Sequence, residues 1–243
     1  AAAAAAVAAW RPDEIVLLPL YPQASTTTTA SSLADWQRAA AAAGLDAPMR
    51  ALCCYPETTG FIAALAQAVR AELERWPPGE RLRVLFSAHG LPQKIVAGGD
   101  PYQWQVERTV AALRRALAWP GLDSTVCYQS RVGPLAWIGP ATDDEIRRAG
   151  REGVGLVVVP VAFVSEHSET LVELDIDYRH VAERAGVPRY RRVATVGTAP
   201  SFIAALAALV RNARRGPCPA DGVRLCPAAL GRCLCAGAGE ARA

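Results

Sequence analysis

Leu85-Phe86-Ser87-Ala88-His89-Gly90-Leu91-Pro92 decides the fold, because an apolar run ends on a histidine directly before a Gly and Pro turn. The run reads as a strand over 82–88, and its end places an imidazole at the carboxyl edge of a sheet. In open α/β sheets, ligands bind in the crevice beyond those strand ends. Histidine there can titrate near neutral pH and can ligate a metal. Outward from this stretch, short apolar runs alternate with helical periodicities. Strands are expected at 14–20, 49–54, 124–129, 155–161 and 190–195. Helices are expected at 31–43, 58–76, 102–118, from 143, from 165 to about 185, and at 201–214. Such alternation with near-continuous apolar strands predicts the α/β class, a Rossmann-like parallel sheet with helices on both faces. Pro77-Pro78-Gly79, Gly98-Gly99-Asp100-Pro101 and Trp119-Pro120-Gly121 mark the breaks. The sequence shows no convincing internal repeat and no glycine-rich phosphate loop.

A second histidine lies in Val164-Ser165-Glu166-His167-Ser168-Glu169-Thr170-Leu171-Val172-Glu173-Leu174-Asp175-Ile176-Asp177-Tyr178, after an apolar run from Gly155 to Phe163. The spacing predicts a helix with Ser165 as its N-cap. Glu166, Glu169, Glu173 and Asp177 then step by three, four and four along one stripe, with His180 three further on. Like charges at these spacings oppose a helix by a few tenths of a kcal/mol per pair. A bound or passing cation would relieve them; a solvated acidic face is the plainer alternative.

Composition narrows the function classes. The chain has 243 residues, of which 51% are hydrophobic, ample for a core. Its net charge of +3 is mild and its arginines are scattered, so nucleic-acid binding has little support. No run reaches the roughly 20 apolar residues of a membrane-spanning helix.

Five segments occur in a telling order: Ser87 to Pro92, Gly99-Asp100-Pro101-Tyr102, Tyr128-Gln129-Ser130-Arg131-Val132-Gly133-Pro134, Trp137-Ile138-Gly139-Pro140, and His167 to Tyr178. From about Ile15 to Arg211 the chain resembles the second half of the ferrochelatases, class II chelatases that insert ferrous iron into protoporphyrin IX during haem synthesis. The resemblance implies His89 as the active-site histidine and Glu169 as the metal-contacting glutamate, both catalytic and both metal-binding. It implies Glu166, Glu173 and Asp177 as a relay for protons or metal. Trp137 and Tyr21 become porphyrin-pocket residues, with Tyr55 a weaker one, while His167 suits capping or packing rather than catalysis. These residue types fit the reaction, since two pyrrole N–H protons must leave while a hydrated divalent cation sheds water. Imidazole can take a proton or ligate iron, and carboxylates hold such a cation loosely enough to pass it on.

The resemblance also implies a domain plan. Residues 1–25 would be the remnant of an N-terminal chelatase domain that is otherwise missing, and 26–198 the C-terminal Rossmann-like domain. The helix in 199–216 would pack back on the missing domain, and 217–243 would form a cysteine-rich tail unable to build a core. Ferrous iron and protoporphyrin IX are the expected partners, with no nucleic acid. Cytoplasmic placement is expected; peripheral attachment at the inner membrane face and the oligomeric state stay open.

Seven cysteines form the other constellation, with Cys226, Cys233 and Cys235 falling within ten residues. With no sign of a secretory segment, metal binding is favoured over disulfides. The spacing resembles that of bacterial ferrochelatases holding a 2Fe-2S cluster, which needs four thiolates. Thr26 stands where animal-type relatives place the distant ligand. Cys218 is the nearer substitute, with Cys53 or Cys54 as the other choice, and free thiols in an unstructured tail remain the plainer reading. Cys127 reads as a small buried hydrophobe. Two alternative functions stay open: another class II chelatase, acting on coproporphyrin or delivering cobalt, and a non-catalytic iron-sulfur protein. Cobalt chelatases of this fold usually pair two histidines, whereas this chain pairs His89 with Glu169.

Overall fold

The structure is a computed structural model that describes residues 1–213 and 224–236. Its contacts divide the chain into two compact units. One contains 1–55, 98–105 and the chain from 206 onward; the other contains 56–97 and 106–205. The first boundary thus falls after Tyr55 rather than after Ser25. The physical reason is strand pairing: β1 (Ile15–Leu17) hydrogen-bonds in parallel to β2 (Met49–Ala51), which ties the opening segment to the residues that follow. β1 is shorter than its apolar run because Pro19 and Pro22 cannot donate to a ladder. Helix α1 (Ala2–Trp10), a π-helical turn (Thr26–Ala30) and α2 (Ser31–Ala42) complete this part.

The second unit holds β3 (Leu82–His89), β4 (Ser124–Gln129), β5 (Gly155–Pro160) and β6 (Tyr190–Arg192) in the spatial order β4-β3-β5-β6, all parallel. β5 is buried along its whole length, as its unbroken apolar sequence requires. Side chains alternate across the sheet, so both faces carry apolar surface. On one face Leu85, Leu156 and Val158 join Ile146 and Ala149 of α6 (Thr142–Glu152) and Leu174. Val84, Phe86, Val157 and Val159 alternate with these and are equally buried, and α3 (Thr59–Glu74) packs against β5. Each such aliphatic side chain contributes roughly 1.5–3 kcal/mol by leaving water.

The helix expected to pack back on a missing domain starts within this unit. The first turns of α8 (Pro200–Asn212) lie on α3, where Phe202 and Phe61 rings meet at 5.8 Å. A Cβ on Gly60 would fall 2.3 Å from the Ser201 carbonyl oxygen, so glycine permits the approach. Short helix α4 (Gln93–Ala97) follows β3, and α5 (Tyr102–Leu117) precedes β4. The larger departure lies after β5: the helix begins at Glu169, not after Ser165, and runs as a π-helix over Glu169–Asp177 before α7 (Tyr178–Arg184).

The first unit is knotted by Asp100, whose fully buried carboxylate accepts from Ser25 Oγ (3.0 Å), Thr26 N (2.7 Å), Thr26 Oγ1 (2.6 Å) and Tyr102 N (2.9 Å). Each donor left without an acceptor in a buried site costs on the order of 1–3 kcal/mol. Asp100→Ala is therefore expected to destabilise the chain by about 3 kcal/mol in urea unfolding; a change below about 1 kcal/mol would contradict this account of the knot.

Candidate active site

His89 ends β3, as its sequence placement required, with its side chain half-buried. Its Nδ1 lies 2.6 Å from the Gly90 carbonyl oxygen. A carbonyl only accepts, so Nδ1 carries the hydrogen and the lone pair of the neutral ring sits on Nε2. Nε2 is 3.7 Å from Glu169 Oε2. That oxygen is buried without a hydrogen-bond partner. Two acceptors thus face one another across a gap that a proton or a cation would fill.

The β3–β4 register brings the second half of the site. His89 stands opposite Gln129, the last residue of β4. Gln129 Nε2 donates to the Glu169 backbone oxygen (3.0 Å) and to Glu173 Oε2 (2.9 Å). Ser130 adds its backbone N–H (2.7 Å) and its hydroxyl (2.6 Å) to the same carboxylate. Tyr178 also bonds Glu173, and burial followed by that carboxylate pushes its phenol well above the usual range. Glu173 is consequently clamped from three residues, in an orientation set by β4.

Glu173 and Asp177 line an open cleft of about 470 Å³ with Ser130, Arg131, Trp137 and Tyr178. Trp137, named from its motif, stands at the wall, and its buried indole N–H has no hydrogen-bond partner. A Cβ on Gly90 would lie 2.9 Å from the Gln129 carbonyl oxygen and 3.2 Å from Trp137 Cε3, so this glycine lets the wall close up. Glu169, Glu173 and Asp177 come from successive turns of one π-helix, a conformation that recurs at functional sites.

Glu166 is placed elsewhere. It lies before the helix and pairs with Arg192 (2.9 and 3.0 Å) and the Thr195 N–H (2.9 Å), while Arg192 also grips Asp175 at 2.7 Å. The three-residue step that put Glu166 on the stripe assumed helix where the chain is irregular. His167 caps the π-helix, its Nδ1 accepting from Glu169 N at 3.1 Å, and packs edge-on against Phe163. His180 is exposed on α7. Tyr21 belongs to the first unit and is half-exposed. Sequence reasoning gave no role to Gln129, Ser130 or Arg192. Gln129 and Ser130 were within reach, since they end the strand beside β3 and so share its crevice.

The tail departs most from expectation. Cys226, Cys233 and Cys235 are buried with Cys53, Cys54 and Ala24 in one cluster of the first unit, with Trp104, Leu230 and Leu234 around it. Cys53 Sγ lies 3.1 Å from Cys54 Sγ and 3.4 Å from Cys235 Sγ, and Gln105 Nε2 donates to Cys226 Sγ at 3.1 Å. Hydrogen bonds from Cys226 and Cys235 hold the Cys233 thiol below the ordinary range, opposed by burial and helped by Arg224. Cys218 lies outside the described residues. Among the described residues, no group of three or more His, Cys, Asp or Glu is arranged as a metal site. The thiols touch each other more closely than the roughly 3.8 Å edges of a tetrahedron with metal–sulfur bonds of about 2.3 Å. Cys127 is fully buried, and burial above all pushes its thiol up to about 12.

The parallel sheet with helices packed on its faces is an α/β chelatase fold. SirB from Bacillus subtilis with Fe3+ superposes with a TM-score of 0.58 at 16% identity, covering 85% of this chain and 74% of that one. CbiX, the terminal enzyme for biosynthesis of sirohaem in denitrifying bacteria, gives 0.52 at 21% identity over 84% and 77%. The chain belongs to the ferrochelatase family, whose family model matches residues 1–214. It is 54% identical over 237 residues to the ferrochelatase of Phenylobacterium zucineum (strain HLK1), covering 97% of this chain and 68% of that protein. The ferrochelatase of Caulobacter vibrioides (strain NA1000 / CB15N) is 54% identical over 206 residues, 85% of this chain and 58% of the relative. That of Rickettsia bellii (strain OSU 85-389) is 43% identical over 93% and 63%. The chain thus spans between 58% and 68% of the length of these relatives.

Glu166 supplies a pH test. Burial raises its pKa, but bonds from Thr170, the Thr195 N–H and Arg192 outweigh burial and leave it lowered. A depressed folded value stabilises the fold above the ordinary glutamate pKa of about 4.3, and that stability fades as pH falls through the lower folded value. Glu166→Gln should cost on the order of 1 kcal/mol at neutral pH after solvent screening. The gap to the unaltered chain should close in acid, as read from urea midpoints; a gap independent of pH would refute the ion-pair account.

Proposed function

We propose that this polypeptide contributes the metal-inserting half of a protoporphyrin ferrochelatase, a lyase of haem biosynthesis that places ferrous iron in protoporphyrin IX. The observation that carries the reading is the unpartnered Glu169 oxygen 3.7 Å from His89 Nε2. Insertion exchanges one Fe2+ for two pyrrole protons. His89 Nε2 accepts a pyrrole proton, and Glu169 meets the iron as it sheds water. Glu173, clamped by Gln129 and Ser130, and Asp177, which lines the same cleft, carry the departing protons or the arriving cation outward. Trp137 offers the flat apolar contact that a macrocycle needs. The His–Glu pairing favours iron over cobalt delivery. Cytoplasmic placement, with peripheral access to a membrane that dissolves the porphyrin, belongs to the same proposal; free cysteines suit a reducing compartment.

A 2Fe-2S cluster is the second part of the proposal. Five buried thiols exceed in number the four thiolates required, and Arg224 supplies positive charge beside Cys233, but sulfurs 3.1 and 3.4 Å apart would have to separate to take a metal. Cys226, Cys233 and Cys235 would hold the cluster with a thiol from the Cys53–Cys54 pair, which the fold brings from the far side of the sequence. Bound there, the cluster would cross-link the tail to the end of β2.

Anaerobic iron insertion, followed by loss of porphyrin fluorescence, tests the first part. The assay uses the chain alone and the chain supplemented with the N-terminal segment of the Phenylobacterium relative. His89→Ala is expected to lower the rate about 10³-fold and Glu169→Gln about 10²-fold, within the range of general acid-base effects. Both variants should keep the unaltered melting behaviour. An active His89→Ala protein would sink the assignment.

A further inference from the structure

Behind the candidate site, three fully buried polar side chains form a chain through the second unit: Thr142, Ser87 and Gln129. We propose that Ser87 and Thr142 are positioning residues, a hydroxyl relay that fixes the Gln129 amide and, through it, the Glu169 backbone and the Glu173 carboxylate. The inference rests on the ferrochelatase reading given above and deepens it by naming groups that act on the site without touching the reacting atoms.

Hydrogen-bond direction carries the argument. Ser87 Oγ donates to Gln129 Oε1 at 2.9 Å, and Thr142 Oγ1 lies 3.0 Å from Ser87 Oγ. The single Ser87 hydroxyl hydrogen is used on Gln129, so Thr142 is the donor in the second contact. Gln129 Nε2 then directs its two hydrogens to the Glu169 backbone oxygen (3.0 Å) and to Glu173 Oε2 (2.9 Å). The amide oxygen and both amide hydrogens are thus partnered, and the sense of the amide is fixed. Turned over, Oε1 would face two acceptors and lose both bonds to the helix. Thr142 is anchored in turn as the first residue of α6, which the Tyr128 N–H ties to β4 by donating to the Pro140 oxygen at 2.9 Å. Ser87 follows Leu85 by two on β3, so it points to the face that Leu85 shares with Cys127, Ile146 and Ala149. A hydroxyl in such surroundings is costly unless bonded, and packing alone would be served by alanine. Without the Ser87 hydroxyl, Gln129 Oε1 is buried with no donor and the amide is free to turn. Glu169 then loses the backbone tether that helps hold its Oε2 3.7 Å from His89 Nε2.

Two readings on Ser87→Ala, Thr142→Val and Thr142→Ser test the relay, with circular dichroism of every sample. The first is hydrogen exchange of the Gln129 side-chain amide by proton-nitrogen nuclear magnetic resonance, its signal identified by its loss in Gln129→Met. The second is iron insertion into protoporphyrin by the chain supplemented as above, resolved into kcat and KM. Ser87→Ala should speed the exchange and lower kcat, each about tenfold, with KM for the porphyrin unchanged. Thr142→Val should act in the same direction, and Thr142→Ser, which keeps the hydroxyl, should restore both readings. Ser87→Ala added to Gln129→Met should lower kcat no further than Gln129→Met alone, because both act through one amide. An unchanged exchange rate in Ser87→Ala overturns the relay. Faster exchange with unaltered kcat, or additive losses in the double variant, overturns its positioning role. If Ser87→Ala fails to fold, Thr142→Val against Thr142→Ser decides by the same readings. An unaltered, supplemented chain that inserts no iron defeats the ferrochelatase reading itself and is recognised before any variant is made; the exchange rates then still decide whether the two hydroxyls hold the amide.

Discussion

The hydrogen bonding of β3 between β4 and β5 is the constraint on which the second unit depends. With both neighbours parallel, the three strands end at one edge, and the register sets His89 directly opposite Gln129. A register shift of one residue would send every side chain of β3 to the other face, setting Leu85 where Val84 and Phe86 now pack and carrying buried Ser87 away from its partners Gln129 and Thr142. The apolar faces on both sides of the sheet forbid that shift. Core packing therefore holds the imidazole in place, although no core residue takes part in the chemistry.

From that edge the acidic residues are recruited through β4. Gln129 links the Glu169 backbone to the Glu173 side chain, and Ser130 locks Glu173 further. A π-helix forgoes the better hydrogen-bond geometry of an α-helix and is rare for that reason. Here the wide turns coincide with bonds from outside the helix, including Gln129 to the Glu169 oxygen and Tyr190 Oη to the Leu174 oxygen at 2.8 Å. Backbone groups that a tighter ladder would have used are satisfied by neighbours. The conformation is thus supported from the sheet, and Glu173 and Asp177 line one cleft despite their like charge.

The cysteine cluster shows a different economy. The tail is too rich in Gly, Pro and Ala to make a core, yet its three thiols occupy the interior of the first unit against Ala24, Cys53 and Cys54. Around them Asp100 ties Ser25 and Thr26 to Tyr102, and Gly99 and Arg232 join backbones at 3.2 Å. Segments distant in sequence converge on this spot, so a group bound by the thiols would staple all of them.

Much of this protein was legible in its residues. The α/β class, the six strands, the place of His89 and the pairing of Glu169, Glu173 and Asp177 followed from periodicity, strand-end logic and motif resemblance. These are local properties, or consequences of a pattern repeated along the chain. Glu166, the π-helix, the clamp from Gln129 and Ser130, and the burial of the tail beside Cys53 and Cys54 were decided only by tertiary structure. Each depends on which partner reaches a group from far away: Arg192 draws Glu166 off the stripe across 26 residues, and Cys235 meets Cys53 across 182. Residue type and spacing determine what a side chain can bind, whereas packing of the chain determines which of its possible partners it finds.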